Sequence, residues 1–380
     1  MREAVAAAPG LAGLQDKQYV LINLLKAVAA QLIVLHHLAF YGPMADHARV
    51  LAPALFDFLA DDARIAVQVF LVIGGFLAAK SLSPHGMPGI ANPLQTVYRR
   101  YVKLAPPFLV AMLLAIGASA LASMWMTHPS ISAPPSFAQL SAHALLLHDV
   151  LGYEALSAGA WYVAIDFQLY VLMTVLLWCC GRAAFGRSKS WLMPVVVTIA
   201  VSTSLFFFNR DADWDISAFY FFGSYGLGVL AWWVSDTQRS SQAVTILLGM
   251  LLIPALAALA VDFRVRIALA LVVACLLFMF GRASLFASRS VGTSFLRFAG
   301  NVSYSVFLVH FPICLVMNAA FARFVDLQPK WQALGVVMAW ATSMVVGVLF
   351  HRWVERPLGR LFAFHGKTVA VGTLALKEKV

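Results

Sequence analysis

Leu104-Ala-Pro-Pro-Phe-Leu-Val-Ala-Met-Leu-Leu-Ala-Ile-Gly-Ala-Ser-Ala-Leu-Ala-Ser-Met-Trp-Met126 is a run without a charged residue, and it decides the fold class. An apolar run of about 18 residues or more is long enough to cross a bilayer as a helix. Two similar runs follow at Trp191–Phe208 and Gln332–Phe350. A membrane barrel would instead show alternating hydrophobicity in segments of about ten residues. The runs therefore predict an all-α, polytopic transmembrane helix bundle.

The composition of the whole chain supports this class. Of the 380 residues, 62% are hydrophobic and 12% are charged, whereas soluble domains carry about 25% charged residues. The net charge of +10 does not indicate nucleic-acid binding, because Lys and Arg lie in short patches between apolar runs and form no RNA-binding motif. The four cysteines lie inside apolar runs without the spacing of a zinc site or a redox motif. No nucleic-acid partner and no metal site are expected.

Loop charges predict the orientation of the bundle. Most of the 27 Lys and Arg residues fall on one side when ten spans are drawn, and the positive-inside rule makes that side cytoplasmic. Both termini then lie in the cytoplasm: 1–19 is predicted as a cytoplasmic N-terminal tail, 20–360 as the transmembrane domain and 361–380 as a short cytoplasmic tail. The predicted spans are about 20–40, 63–82, 104–126, 160–180, 190–208, 216–234, 243–261, 265–281, 299–320 and 331–351.

The longest outer loop, 127–159, contains no Lys or Arg. Its stretch Phe137–Leu151 is apolar enough to lie in the interface or to dip into the bundle. Loops of this length are often functional.

The first span carries a basic residue and two histidines in an otherwise apolar sequence. A charge near the middle of a bilayer costs about 2.5–3.5 kcal/mol, so Lys26 indicates a polar interior. Lys26 and His37 are eleven positions apart, which is almost three helical turns, so they share one face about 16 Å apart. The alternative is that Lys26 snorkels inward and His37 is interfacial. His36 points elsewhere and is either structural or shares the role of His37.

The fourth span places a carboxylate, Asp166, near its outer end, at a depth similar to that of His37. A carboxylate beside an imidazole would fix the tautomer of the ring and stabilise its protonated form, as general base catalysis requires. The alternative is a structural hydrogen bond to another helix. The same span offers further pocket candidates in Trp161, Gln168 and Tyr170.

The ninth span contains His310 two residues before Pro312. The proline interrupts the helical hydrogen bonds, and His310 either lines the same cavity as His37 or is structural. Ser303 and Tyr304 precede it as further pocket candidates.

Two charged stretches are predicted on the cytoplasmic side. Arg99, Arg100 and Lys103 form a cation cluster that suits a phosphorylated ligand, anionic lipid headgroups or topology alone. At the end of the last span, Glu355 and Arg356 are expected to form a structural clamp.

In this order, these motifs resemble those of the acyltransferase 3 family of membrane acyltransferases, from about residue 20 to 360. The matching elements are Lys26 with His37, Val72-Ile-Gly-Gly-Phe76, Arg99-Arg100-x-x-Lys103-x-x-Pro106, Trp161 with Asp166, Ser303-Tyr304 through His310 and Pro312, and Val354-Glu-Arg-Pro357. The chain departs from the family pattern where Gly74 replaces Ser, Tyr162 replaces Ser and Asp166 replaces Glu. These departures bear on the donor and acceptor more than on the type of reaction.

The resemblance implies transfer of an acyl group, expected to be acetyl, from acyl-CoA to a hydroxyl of a cell-surface or exported glycan in a bacterial inner membrane. His37, Asp166 and Lys26 would be catalytic, the Arg99 cluster would bind the donor, and no bound cofactor is expected. Acyl-CoA, a glycan and the bilayer would be the partners, and the oligomeric state is left open. The alternative is a transporter or flippase for a glycan or lipid-linked precursor, which inverted repeats or paired broken helices would favour.

Overall fold

The computed structural model describes residues 20–183, 189–282 and 291–362. Within these ranges the protein is an all-α bundle of ten long helices joined by short helices and turns, and it contains no β-strand. The long helices are α1 (Val20–Phe40), α2 (Val67–Leu82), α3 (Pro93–Ala122), α4 (Ala160–Ala183), α5 (Lys189–Phe206), α6 (Ala218–Val234), α7 (Ser241–Val261), α8 (Val265–Phe280), α9 (Val291–Phe324) and α10 (Pro329–Phe350).

The helices have the lengths that a membrane requires. Eight helical segments of the described chain combine at least 18 residues with enough apolar character to cross a bilayer. Helices α6 and α8 are equally apolar but shorter, with 17 and 16 residues. Each predicted span overlaps one of the ten helices, so the predicted polytopic bundle is confirmed.

Helix α3 begins eleven residues earlier than the sequence suggested. The Oδ1 atom of Asn92 accepts a hydrogen bond of 2.9 Å from the backbone N–H of Gln95, and Pro93 occupies the first helical position. Both features are typical of a helix start. The stretch 98–103 was predicted as an inner loop and is helical instead, which turns Arg100 towards the interior and leaves Arg99 and Lys103 exposed.

Helices α2 and α6 cross closely at the centre of the core. Gly75 lies against the backbone of Tyr225, and Gly228 lies against the backbone of Val72, so neither position has space for a Cβ atom. Small residues allow membrane helices to approach in this way. A buried hydrogen bond of 2.6 Å from the hydroxyl of Ser224 to Oε1 of Gln68 joins the same two helices.

The loop 127–159, predicted to be outside, folds back against the bundle. It contains one short helix, Phe137–Ala144, and the hydroxyl of Tyr101 in the first third of α3 donates to the carbonyl of Ala144 at 2.7 Å. This packing favours the second of the two predicted positions for the loop, contact with the bundle.

Candidate active site

A pair of histidines lies at the interface of α1 and α9. Nδ1 of His37 is 2.6 Å from Nε2 of His310, and the two ring planes are parallel to within 4°, with centroids 4.9 Å apart. Both side chains are buried, with 7% and 1% of their surface exposed. Of the two sequence predictions for His310, the structure therefore favours a shared site with His37.

The hydrogen bonds determine where the protons of this pair lie. Nδ1 of His310 is 2.7 Å from the carbonyl of Phe307, and a carbonyl can only accept, so this nitrogen donates. In the uncharged ring Nε2 of His310 is then an acceptor, and Nδ1 of His37 donates to it. Among the residues that the structure describes, none donates to Nε2 of His37, which is left with a free lone pair. The arrangement can accept a proton at a defined atom and stabilise the resulting imidazolium.

His36 has a separate, structural role. Its Nδ1 donates to the carbonyl of Leu59 at 2.9 Å, within a π-helical turn at Phe58–Asp62 that precedes α2. His36 therefore anchors this turn to α1 and does not join the imidazole pair.

The predicted contact between Asp166 and His37 is wrong. Arg100 donates instead to Oδ2 of Asp166 at 2.5 Å, and this ion pair is largely buried. The pair forms because α3 is already helical at Arg100, so that its side chain points into the bundle. A carboxylate in the interior needs such a partner to offset the loss of hydration. His310 takes the orienting position that the sequence assigned to Asp166.

Tyrosines surround the buried ion pair. The guanidinium of Arg100 lies 5.1 Å from the ring centroid of Tyr170, and the hydroxyl of Tyr304 donates to the carbonyl of Leu104 at 3.2 Å. The hydroxyl of Tyr225 and Nε of Arg100 are buried without a hydrogen-bond partner among the described residues. Unpaired polar atoms inside a protein are costly, so this layer is suited to a polar ligand.

Below this layer, a third group of charges joins α1 to the end of α10. Glu355 accepts from the hydroxyl of Ser305 at 2.5 Å and from Nδ1 of His351 at 2.8 Å. Lys26 interacts electrostatically with Glu355 and with Lys103. The sequence predicted Lys26 on this face of α1, and the structure shows that Glu355 balances its charge.

At the end of α10, Glu355 does not pair with Arg356 as predicted but bonds to Ser305. A π-helical turn at His351–Glu355 turns Glu355 inward to Ser305, while Arg356 is exposed. Glu355 therefore ties α10 to α9, and Arg356 points away from this contact.

The other predicted residues lie around these groups. Trp161 packs against Phe221 with ring centroids 5.7 Å apart. Gln168 accepts from the backbone N–H of Ala218 at 3.1 Å and so holds the start of α6. The hydroxyl of Ser303 bonds to its own helix. Arg99 and Lys103 are exposed, and Lys103 interacts electrostatically with the inward-pointing Arg100. The three predicted cations are therefore divided between the surface and the interior.

The sequence did not single out Tyr225, Ser305 or His351. Each is polar in or beside an apolar span, which is the signal that identified Lys26 and Asp166. A hydroxyl is cheaper to bury than a charge, however, so this signal is weaker for tyrosine and serine. Their roles depend on which helices pack together.

The helix bundle holds an imidazole pair and a buried charged layer in its interior. The protein is therefore a polytopic membrane protein with an internal polar site. The model of the acyltransferase 3 family, described as an acyltransferase domain, matches residues 19–352. The chain belongs to this family.

One curated relative matches a smaller part of the chain. The regulator of hypoxia-inducible factor 1 from Caenorhabditis elegans is 26% identical over 140 residues, which make up 37% of this chain and 27% of that protein. The chain therefore spans little of that relative's length. No solved structure matches.

Proposed function

We propose that this protein transfers an acyl group, expected to be acetyl, from acyl-CoA to a hydroxyl of a cell-surface or exported glycan in a bacterial inner membrane. The observation that carries the proposal is the free lone pair on Nε2 of His37, held in place by His310. An activated hydroxyl is what ester formation requires, and a positioned imidazole supplies the base.

The donor end of the site carries more basic than acidic groups. Lys26 and Lys103 both interact electrostatically with Glu355, which balances one of the two charges, and Arg99 is exposed on the same helix as Lys103. Lys and Arg are the usual partners of phosphate groups, and CoA carries several phosphates. Arg100 is engaged by Asp166, so we assign it to the buried layer that the thioester passes.

In the transfer step, His37 takes up one proton and later returns it. Nε2 takes the proton of the acceptor hydroxyl, and the oxygen attacks the carbonyl carbon of the thioester. The carbon–sulfur bond then breaks, and the imidazolium returns the proton to the departing thiolate. Transfer through an intermediate acyl-enzyme would use the same base. His310 accepts from Nδ1 of His37 throughout and so stabilises the charged ring.

The test is consumption of a thioester by the full chain. Purified protein in nanodiscs should release free CoA from acetyl-CoA when an extract of surface glycans is added. Mass spectrometry of glycans from the native host should show an acetyl group that is lost when the gene is deleted. Glycan movement across vesicles without loss of thioester would contradict the proposal and support the transporter alternative.

A further inference from the structure

One face of α9 holds the end of α1 through three residues, His310, Cys314 and Asn318. They are four positions apart and therefore lie one above another on the helix. His310 bonds to the ring of His37, and the thiol of Cys314 lies 3.8 Å from the backbone carbonyl of His37. One turn further, Nδ2 of Asn318 donates to the carbonyl of Tyr41 at 3.0 Å. The imidazole pair is thus the first of three contacts between this face and the end of α1.

The amide of Asn318 uses both of its polar atoms in these contacts. The side chain is buried, with 1% of its surface exposed. Nδ2 donates to the carbonyls of Tyr41 at 3.0 Å and of Cys314 at 2.9 Å, whereas Oδ1 accepts from the backbone N–H of Met44 at 3.1 Å. An ionised carboxylate of the same shape cannot donate, and an aliphatic side chain can do neither.

The two backbone groups that Asn318 binds outside α9 lie where the chain leaves α1. Tyr41 directly follows the last residue of α1, and Met44 lies in the first turn of the short helix Pro43–Ala48. Backbone groups at helix ends lack partners within the helix, and Gly42, which precedes the short helix, has no side chain to cap it. Asn318 therefore supplies from α9 the partners that this turn lacks.

The turn is packed directly onto the amide. Gly42 has a φ of +121°, which glycine adopts without strain. A Cβ atom at this position would collide with Cγ of Asn318. The turn and the Asn318 side chain therefore fit together as one unit.

The same turn is in direct contact with His37. The N–H of Tyr41 donates to the carbonyl of His37 at 2.9 Å, and the centroids of the two rings are 5.5 Å apart. The Tyr41 ring also packs edge-on against Phe311 of α9 at 5.2 Å. A shift of the turn along α9 would therefore move His37 relative to His310, and the bond of 2.6 Å between their rings leaves little tolerance for it.

We propose that Asn318 is a positioning residue for the imidazole pair: by fixing the turn after α1, it sets the contact between His37 and His310. Asn318 lies eight positions beyond His310, about 12 Å along the helix, so it acts through His37 and not on a substrate. Its effect on catalysis rests on the proposed function, whereas its effect on the pair does not. A displacement of about 1 Å at a reacting group can cost about 100-fold in rate.

The experiment replaces Asn318 and first measures the pair itself. Asn318→Leu has a similar size but leaves the carbonyl of Tyr41 and the N–H of Met44 without this partner. NMR of the full chain in lipid, with isotope-labelled histidine, should detect the coupling across the His37–His310 hydrogen bond in the wild type. The coupling should be lost in Asn318→Leu. His310→Phe identifies the signals of the pair among the ten histidines.

Release of CoA from acetyl-CoA by the same variants gives the second readout. We expect kcat to fall about 10- to 100-fold with KM nearly unchanged, because the base moves while the donor end of the site keeps its contacts. Asn318→Ala removes the same hydrogen bonds with a smaller side chain, and it serves if leucine does not fit beside Gly42.

Gln332→Leu is the matched control. Gln332 of α10 is also a buried amide, and its Nε2 donates to the carbonyl of Asp326 at 3.0 Å, in the turn between α9 and α10. The variant removes the same kind of bond between a side chain and a turn, but that turn does not carry His37. The NMR coupling and kcat should both stay at the wild-type values.

The outcomes separate this inference from the proposed function. An intact coupling in both Asn318 variants, or an equal loss in Gln332→Leu, would overturn the inference, while release of CoA by the wild type would still support the proposed function. Loss of the coupling with an unchanged kcat would overturn the catalytic part of the inference. A wild type that releases no CoA would contradict the proposed function, and the coupling would still test the role of Asn318.

Discussion

At the scale of single residues, the two buried polar pairs, His37–His310 and Arg100–Asp166, have different roles. The His37–His310 pair is made of groups that are neutral when unprotonated, so it can gain and lose a proton without breaking an ion pair. The Arg100–Asp166 pair consists of permanent charges that offset one another. The first pair suits proton transfer, whereas the second holds α3 against α4 and shapes the site.

The sequence predicted individual residues better than their partners. Lys26 and His37 were placed on one face because both lie on one helix, where spacing fixes direction. The predicted partner of Asp166, His37, was wrong because the spacing of residues within α4 does not determine the register of α3. Only the early start of α3 at Pro93 brings Arg100 to the depth of Asp166.

Removing one member of the charged pair should destabilise the bundle more than removing both. Asp166→Leu leaves the guanidinium of Arg100 buried without a counter-charge, which costs about 3–5 kcal/mol. The double variant Arg100→Met with Asp166→Leu should recover much of this loss and remain inactive. Unfolding of purified variants in detergent measures the difference. A single variant as stable as the wild type would show that the pair is not needed to hold α3 against α4.

At the scale of elements, close helix crossings and irregular turns position the site. The α2–α6 crossing sets where Gly74 and Tyr225 meet Asp166. The π-helical turn at His351–Glu355 brings an acid inward at the end of α10. Such turns are often found at functional sites, and hydropathy patterns do not reveal them.

A side chain at the crossing should separate α2 from α6. Gly75→Leu places its Cβ atom against the backbone of Tyr225, which cannot move aside as a flexible side chain can. We expect loss of folded protein, or a melting temperature in detergent at least about 2 °C lower, as for a cost of about 1–2 kcal/mol in a chain of this size. Gly117→Leu is the matched control, because no atom lies within 4 Å of its Cβ position. Equal stability of the two variants would argue against the close crossing.

The loop 127–159 contains a buried histidine, His148, that lies beside an acidic residue, Asp149. Burial lowers the pKa of His148 to about 3, aided by His143, whose ring stacks on it at 4.0 Å. Burial and the nearby charge of Asp215 raise the pKa of Asp149 to about 6. Nε2 of His148 and Oδ2 of Asp149 are 3.4 Å apart, and at pH 5 both groups are uncharged in the closed loop.

This pair should make closure of the loop less sensitive to mild acid. At pH 5 the proton that the open loop holds on His148 is balanced by the one that the closed loop holds on Asp149. Burial also lowers the pKa of His143, so opening still takes up a proton there and the wild type keeps a weaker response to acid. Asp149→Asn removes this balance. Opening then takes up a proton at His148, and closure weakens as the pH falls from about 6.5 towards 3.

Limited proteolysis of the loop at pH 7 and pH 5 measures this change. Asp149→Asn should be cleaved faster at pH 5 relative to the wild type, with the protease rate at each pH normalised on an unfolded substrate. Glu154→Gln is the control, since Glu154 is exposed in the same loop. If both variants respond to pH alike, burial of the His148–Asp149 pair does not govern closure.

At the scale of the whole molecule, the number of spans could be predicted because apolar length is a local property of the chain. The side of the membrane on which each loop lies rests on Lys and Arg patches alone and stays a prediction. The layers of the site could not be predicted, since they arise from contacts among α1, α2, α4 and α9. Those contacts depend on lateral packing, which hydropathy does not encode.

The predicted orientation has a direct test in labelled cells. In a background with the native cysteines replaced, Ala133→Cys in the exposed part of the outer loop should react with a membrane-impermeant thiol reagent in intact cells. Thr237→Cys, exposed between α6 and α7, should react only after the cells are permeabilised. The reverse pattern would place the termini outside and the donor charges on the wrong side for cytoplasmic acyl-CoA.

The central claim is that His37 is the base of the transfer, and one measurement tests it most directly. His37→Ala, purified in nanodiscs, is compared with the wild type for release of CoA from acetyl-CoA in the presence of a glycan acceptor. We predict that kcat falls at least about 100-fold while the protein stays folded in the membrane. His143→Ala, which removes a buried histidine outside the site, should retain turnover. Release of CoA by His37→Ala at the wild-type rate would contradict the account.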